Sequence, residues 1–364
     1  MSFLKNQFFL SFILTTSNDS FMIITHPKRI PPMEEIGDDI FKIILPQPFY
    51  APNNIYIYHG DDGLILIDSG YIESIPMLQA SLRTRGYSLK DIRHVIYTHN
   101  HLDHISSALV LKAYAPKAIF YGYRAMQSGV GNYLESMHLF EEATEDLFRT
   151  AYGDPLELEK ILNASRNGWN TFYSKFKETK KGDPNLKIDV TIDHNDSLEL
   201  GGRKFRFIHT PGHNLYHITP VCPKSGVYFS GDLIIANLTA IYSQLDGSLS
   251  DYHFTLSKLL EEPIRRLLPA HGHEIEDPKK TILLVKKTLS ILEKGVIRRL
   301  REGSSDLLHL MEAAIGKKVH NGGHLPTALG LIYSIVQKLV LEGWIRIESR
   351  ENGYEIFHLL DSRK

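Results

Sequence analysis

Residues Thr98-His99-Asn100-His101-Leu102-Asp103-His104 constrain this chain more than any other stretch. They place three histidines and an aspartate within six residues, directly after the apolar run Ile92 to Thr98, which reads as a strand. Imidazole and carboxylate are borderline-to-hard ligands that suit Zn, Mn or Fe in a hydrolytic site. Side chains alternate along an extended chain, so His99 and His101 go to one side. Asp103 and His104 follow where the chain turns, in reach of a second ion. A lone histidine is usually a packing residue, but packing does not produce four ligand-type residues in this order.

Four ligands do not complete two metal sites, so later segments must add to them. His213 closes His209-Thr210-Pro211-Gly212-His213, where Pro and Gly form a turn that presents the last histidine. Asp232 closes Phe229-Ser230-Gly231-Asp232 at a strand end, and His271 lies in Leu268-Pro269-Ala270-His271-Gly272-His273, just past another strand. Asp68, in Ile67-Asp68-Ser69-Gly70, also ends a strand and is placed to support a ligand from behind.

The 364 residues allow one large domain with a small one, or two of medium size. Hydrophobic residues at 43% and charged residues at 23% are those of a folded chain. A net charge of −1 gives no global grip on nucleic acid and leaves only local patches. The one cysteine, Cys222, excludes an intrachain disulfide and a Cys-rich zinc finger. No apolar run reaches the roughly 18 to 20 residues that span a bilayer, so no membrane is expected. Lys5, the apolar Phe8 to Leu14 and the small Thr15-Thr16-Ser17 loosely resemble a signal peptide without an Ala-x-Ala site. Residues 1–39 are read as an N-terminal extension, with Met22 an alternative start. The expected location is cytoplasmic, and export is the alternative.

From Ile40 strands and helices alternate, which favours sheets covered by helices. Asn54 to Tyr58 and Leu64 to Ile67 flank the turn Gly60-Asp61-Asp62-Gly63. Tyr71 to Arg85 and Ile105 to Tyr114 read as helices. At about 122–182 the texture changes to two charged helices, Asn132 to Tyr152 and Leu156 to Lys177. They carry the aromatics Tyr133, Phe140, Phe148, Trp169, Phe172, Tyr173 and Phe176. This is a helical insertion, either a packing hairpin or a lid whose aromatics line an apolar pocket. Strand texture returns from Leu186. Residues 279–364 give three helices and a hairpin around Arg350-Glu351-Asn352-Gly353, the winged-helix order. They hold 15 Lys and Arg against 9 Asp and Glu, a net of +6 that leaves −7 for the remainder. The third helix is apolar nearly all round, with Lys338 its only basic side chain. A groove-reading helix needs an exposed polar face, so docking or homodimerisation is expected rather than sequence-specific DNA binding.

The ligand set in this order resembles the metallo-beta-lactamase superfamily over about residues 40–278. The resemblance implies an α+β fold, a four-layer αβ/βα sandwich with a dinuclear site between two sheets, here with a helical insertion and a C-terminal winged-helix domain. It implies that His99, His101 and His213 hold one metal and Asp103, His104 and His271 the second, with Asp232 bridging. Asp68 falls on the family's Asp-Thr-Gly strand end, here Asp-Ser-Gly. Lactam-cleaving members of the main class put a cysteine where this chain has Asp232. Flavo-diiron members put Glu at the position of His101 and add a flavodoxin domain. Hydrolysis is therefore expected over redox chemistry. The winged-helix pairing resembles the group of beta-lactamase-like endoribonucleases and glyoxalase II-like hydrolases, and the spacing of His213 and His217 fits it.

Two divalent ions, zinc with Mn or Fe as alternatives, give a metal-bound hydroxide as nucleophile. Asp103 is a candidate to take a proton from the water as well as to ligate. No Gly-x-Ser-x-Gly elbow supports a covalent serine route. The leading reading is a thioester or ester hydrolase resembling hydroxyacylglutathione hydrolase, with a small acyl substrate. The alternatives are a single-strand endoribonuclease, with RNA as partner, and a lactone hydrolase.

Overall fold

The computed structural model describes residues 29–47, 51–129, 133–179, 186–235, 246–316 and 325–360. The signal-like residues 8–17 lie outside the described residues. The first sheet has seven strands in sequence order: β1 (Glu34–Glu35), β2 (Ile40–Leu45), β3 (Asn53–His59), β4 (Leu64–Ile67), β5 (Ile92–Ile96), β6 (Ile119–Tyr123) and β7 (Val190–Ile192). Pairing is antiparallel from β1 to β4 and parallel from β4 to β7. The second sheet has the order β12-β11-β10-β9-β8, from β8 (Ser197–Leu200), β9 (Arg203–His209), β10 (Ile218–Cys222), β11 (Val227–Gly231) and β12 (Arg266–Pro269). Its pairs are antiparallel except β11 with β12.

The strands read as continuous apolar runs because both faces are covered. In β3 the residues Ile55 and Ile57 face helix Ile75–Arg83 and its neighbours, whereas Tyr56 and Tyr58 face the second sheet. β4 alternates likewise, with Leu64 and Leu66 outward and Ile65 and Ile67 inward. The inner core adds Phe205, Phe207, Ile218, Val227, Phe229 and Leu268 from the second sheet. That sheet's outer face, with Ile208, Val221, Tyr228 and Leu267, packs under helices Leu249–Leu259 and Pro278–Arg301. The layers are thus helix, sheet, sheet, helix. Met33 is buried and Glu34–Glu35 pairs with β2, so the sheet begins ahead of the expected boundary at Ile40.

Local chemistry sets the helix starts. Ser248 accepts from the Asp251 N–H at 3.2 Å, Asp277 from Lys280 at 2.9 Å and Asp306 from His309 at 2.8 Å, each satisfying a donor that the first turn leaves open. In the insertion, Gly153-Asp154-Pro155 separates helix Tyr133–Ala151 from helix Pro155–Thr179, and Asp154 Oδ1 accepts from Leu156 and Glu157. The expected aromatic row is split. Phe148 is buried toward the C-terminal helices, and Trp169 and Tyr173 pack toward the first sheet. The side chains of Tyr133, Phe172 and Phe176 lie outside the description.

The C-terminal segment continues from Pro278–Arg301 through β13 (Ser305–Asp306), helix Leu307–Ala314 and helix Leu325–Leu341 to the hairpin β14 (Ile345–Ser349) and β15 (Glu355–Leu359), with sheet order β13-β15-β14. Helix Leu325–Leu341 buries Leu325, Leu329, Ile332, Ile335, Val336 and Leu339 in one core with helix Leu249–Leu259 and the insertion. Most of its apolar circumference is covered by the same chain, whereas Leu341 at its end is exposed.

That shared core predicts a single cooperative unfolding event. Ile335→Ala, at a fully buried site, is expected to cost about 2 to 5 kcal/mol and to lower one common thermal midpoint. A separate early transition confined to the C-terminal segment, resolved by hydrogen exchange, would contradict this.

Candidate metal centre

Every expected ligand stands where a strand ends. Asp68 follows β4, and His99, His101, Asp103 and His104 follow β5. His213 follows β9, Asp232 follows β11 and His271 follows β12. His101 precedes a short helix, Leu102–Ile105, which turns Asp103 and His104 inward. Two groups result, each with ligand atoms within 4.8 Å of one another: His99, His101 and His213, and Asp103, His104, Asp232 and His271. Asp232 adjoins both. Its Oδ2 is 3.5 Å from His104 Nε2 and 3.8 Å from His213 Nε2, and its Oδ1 is 3.3 Å from His271 Nε2.

The ring nitrogens facing the centre are acceptors, and their outer partners make them so. His271 Nδ1 meets the Pro52 carbonyl at 3.0 Å, which can only accept, so Nδ1 carries the proton. His104 Nδ1 donates to Asp68 Oδ2 at 2.9 Å. The Thr98 hydroxyl donates to Asp68 and therefore accepts from His99 Nδ1 at 3.0 Å. His101 Nε2 donates to Asp246 Oδ2 at 3.3 Å. The inward nitrogens of His99 and His101 are thereby left bare, and His213 Nε2 closes the group 2.9 Å from His101 Nδ1 and 3.3 Å from His99 Nε2. His104 Nε2 and Asp232 Oδ1 are buried with no hydrogen-bond partner. Converging acceptors of this kind fit a divalent cation in each group, with outer-sphere partners orienting the rings.

The charge distribution agrees. Burial, then His104, His101 and His213, hold His99 well below its ordinary value. Burial also presses His104 and His271 down, but the Asp103 and Asp232 carboxylates outweigh it and push His104 well up and His271 up to about 10. Burial acts to raise Asp103 and Asp232, yet the adjoining histidines hold both carboxyls below the usual range. The carboxylate-bearing group thus calls for positive charge at its centre.

Asp68 joins the two groups. Its φ of 59° is in the left-handed region, unusual for a non-glycine residue and stored strain where the surroundings over-determine it. Oδ1 accepts the Thr98 N–H at 2.8 Å while Oδ2 takes the Thr98 hydroxyl and His104. Two glycines make room. At Gly231 (φ +50°) an added Cβ would lie 2.5 Å from His217 Nε2, and at Gly212 (φ +149°) 2.6 Å from Tyr252 Cα. His217 sits behind His99, its ring 5.3 Å away, and belongs to neither group.

Sequence reasoning missed four supports. Gln47 and Asn53 donate to Asp103 Oδ2 at 3.3 and 3.1 Å, and Asp246, which accepts from Asn214 Nδ2, braces His101. Only Asn214, next to His213, carried a positional signal. The insertion does reach the centre: the Phe140 ring meets His101 edge-on, centroids 5.8 Å apart.

The metallo-beta-lactamase superfamily model matches residues 50–271, more than half of the chain. The chain belongs to the metallo-beta-lactamase superfamily. The His/Asp centre lies within or at the end of the matched residues. It is 25% identical to the probable metallo-hydrolase YqjP of Bacillus subtilis (strain 168), over 65% of this chain and 73% of that protein. A beta-lactamase-like protein 2 homolog of Drosophila melanogaster is 33% identical over 29% of this chain, and the match spans about a third (36%) of that relative's length. The crystal structure of a metallo-beta-lactamase family protein from Thermus thermophilus shares the fold, with a TM-score of 0.69 at 16% identity over 88% of this chain and 99% of that one. Among the described residues no helix is long and apolar enough to cross a membrane.

Asp232→Ala is expected to abolish metal retention in both groups, read by elemental analysis after dialysis. Asp68→Ala, acting from behind His104 and Thr98, is expected to weaken affinity by about 10- to 100-fold. The reverse ranking would contradict the shared position of Asp232. Gly231→Ala is expected to lower metal content, because its Cβ displaces His217 or Thr98.

Proposed function

We propose that this chain hydrolyses thioesters or esters of small acyl substrates with two divalent cations, zinc as isolated. His99, His101 and His213 hold one cation, and Asp103, His104 and His271 the other, with Asp232 between them. The observation that carries the reading is that pair of adjoining ligand groups joined by one carboxylate. Cations there would supply an acidified water and an electron-poor carbonyl. The chain's residues do the rest. Asp68, Thr98 and Asp246 fix histidine tautomers, and Gln47 and Asn53 orient the Asp103 carboxylate, whose Oδ2 faces His271 Nε2 at 3.2 Å, so that Asp103 serves as ligand and proton acceptor. Partial likenesses also support the reading: the hydroxyacylglutathione hydrolase of Rhodospirillum rubrum is 32% identical over 27% of this chain and 37% of that protein.

A second reading, a single-strand endoribonuclease, draws on the C-terminal segment. Its helix–helix–helix–hairpin order is that of a winged helix. Lys287, Lys294, Arg298 and Arg301 are exposed along helix Pro278–Arg301, a face suited to a phosphate backbone. Sequence-specific DNA reading is not proposed, because the faces of helix Leu325–Leu341 are taken up by packing. A lactone hydrolase would use the same centre.

The test is one panel. Metal-loaded protein is assayed against acyl thioesters, lactones and labelled single-stranded RNA, before and after chelation. Thioester turnover lost on chelation and restored by zinc is expected. Metal-dependent RNA cleavage without acyl hydrolysis would replace this reading with the second.

A further inference from the structure

The insertion is anchored in two separate cores, and its middle faces the metal centre. Near one end of helix Tyr133–Ala151, Met137 is buried with Leu102 and Ile105 of the ligand loop. Roughly 16 Å further on, at about 1.5 Å per residue, Leu147, Phe148 and Ala151 are buried with Leu329, Ile332 and Ile335 of the C-terminal helices. Helix Pro155–Thr179 runs back the same way, with Leu158 and Leu162 in the C-terminal core and Trp169 and Tyr173 against the first. The two helices are cross-linked between these anchors. Arg166 forks onto Glu145, Nε to Oε1 at 2.6 Å and Nη2 to Oε2 at 2.8 Å, and the Tyr173 hydroxyl donates to Glu141 at 2.9 Å. A pair pinned at both ends and tied in the middle is a strut.

Phe140 lies between the anchors, half-buried, with its ring on His101. It offers the ligand group an apolar wall with no polar atom. Phe148 lies two turns further along the same helix, only 2% exposed, held by the C-terminal core. Two turns of hydrogen-bonded helix bend little, so displacement at Phe148 carries to Phe140.

We propose that Phe140 is the specificity-determining wall for the acyl chain. Phe148 is the positioning residue through which the C-terminal helices hold that wall against His101. The substrate class rests on the acyl-hydrolase reading, whereas the mechanical link does not.

The experiment uses full-length, metal-loaded protein and a straight-chain acyl thioester series from acetyl upward. In the wild type, kcat/KM is expected to rise with chain length. Phe140→Ala is expected to flatten that gradient, by roughly tenfold between the ends of the series, mostly through KM. Phe148→Ala is expected to flatten it in the same sense with metal content intact. Phe148→Leu, which keeps most of the buried volume, is expected to restore most of the gradient and serves as the readout if Phe148→Ala does not fold. A wild-type gradient retained in Phe140→Ala overturns the wall. A lowered thermal midpoint in both Phe148 variants with an unaltered gradient overturns the link. Should the wild type turn over no thioester, the acyl reading has failed. The link is then read by hydrogen exchange across residues 134–144: faster exchange there in the Phe148 variants upholds it, and unchanged exchange overturns it.

Discussion

Five buried and two half-buried ligand groups point at one small volume, and the rest of the molecule is organised around that crowding. The inward nitrogens of His99 and His101 are bare, and both lie against His213 Nε2, at 3.3 and 2.9 Å, so a cation among the three rings would relieve their crowding. The outer partners sharpen the conflict. By accepting the far proton of His271, His104, His99 and His101, Pro52, Asp68, Thr98 and Asp246 leave the inward nitrogens of those four rings bare. The same partners prepare the site, because a ring that cannot flip or change tautomer loses little freedom when a cation arrives. Asp68 is central to this. Its left-handed backbone and buried carboxylate hold the loop after β5 to the end of β4, and through Thr98 and His104 it reaches both ligand groups.

The two-sheet sandwich is what makes such crowding tolerable. Strands whose both faces are buried end in loops with little freedom, and the ends of β4, β5, β9, β11 and β12 meet at one edge of the inner core. Close approach of backbone to ring is then possible only where a side chain is missing, which accounts for Gly231 against His217 and Gly212 against Tyr252. The C-terminal segment enters the same account from the other side. Helix Leu325–Leu341 packs on helix Leu249–Leu259 and on the insertion, so its burial stabilises both the outer layer of the second sheet and the helices that reach His101.

Much of the centre was legible in the sequence because ligand chemistry is local. Three histidines and an aspartate in six residues need no tertiary information to stand out, and His213, Asp232 and His271 each follow a readable strand or turn signal. The supports were not legible. Gln47 and Asn53 sit far from Asp103 in the chain, and Asp246 is an ordinary aspartate until folding sets it beside His101. The helix caps are local as well, since Ser248, Asp277 and Asp306 each accept an N–H from three residues on. The insertion's two helices were equally plain, but which of its aromatics face the site was not, because helical periodicity gives a face and not its neighbour.

By itself, then, the order of residues determined the elements, the ligand types and the superfamily, since these follow from side-chain period and coordination chemistry along short spans. Tertiary structure alone decided that Gln47, Asn53 and Asp246 support the ligands and that Phe140 rather than Phe148 meets one. It also decided that most of the apolar third helix is covered by its own chain. Each of these depends on contacts between segments tens to hundreds of residues apart. Such contacts are settled by which faces pack together, a choice the hydrophobic effect makes collectively and without direction.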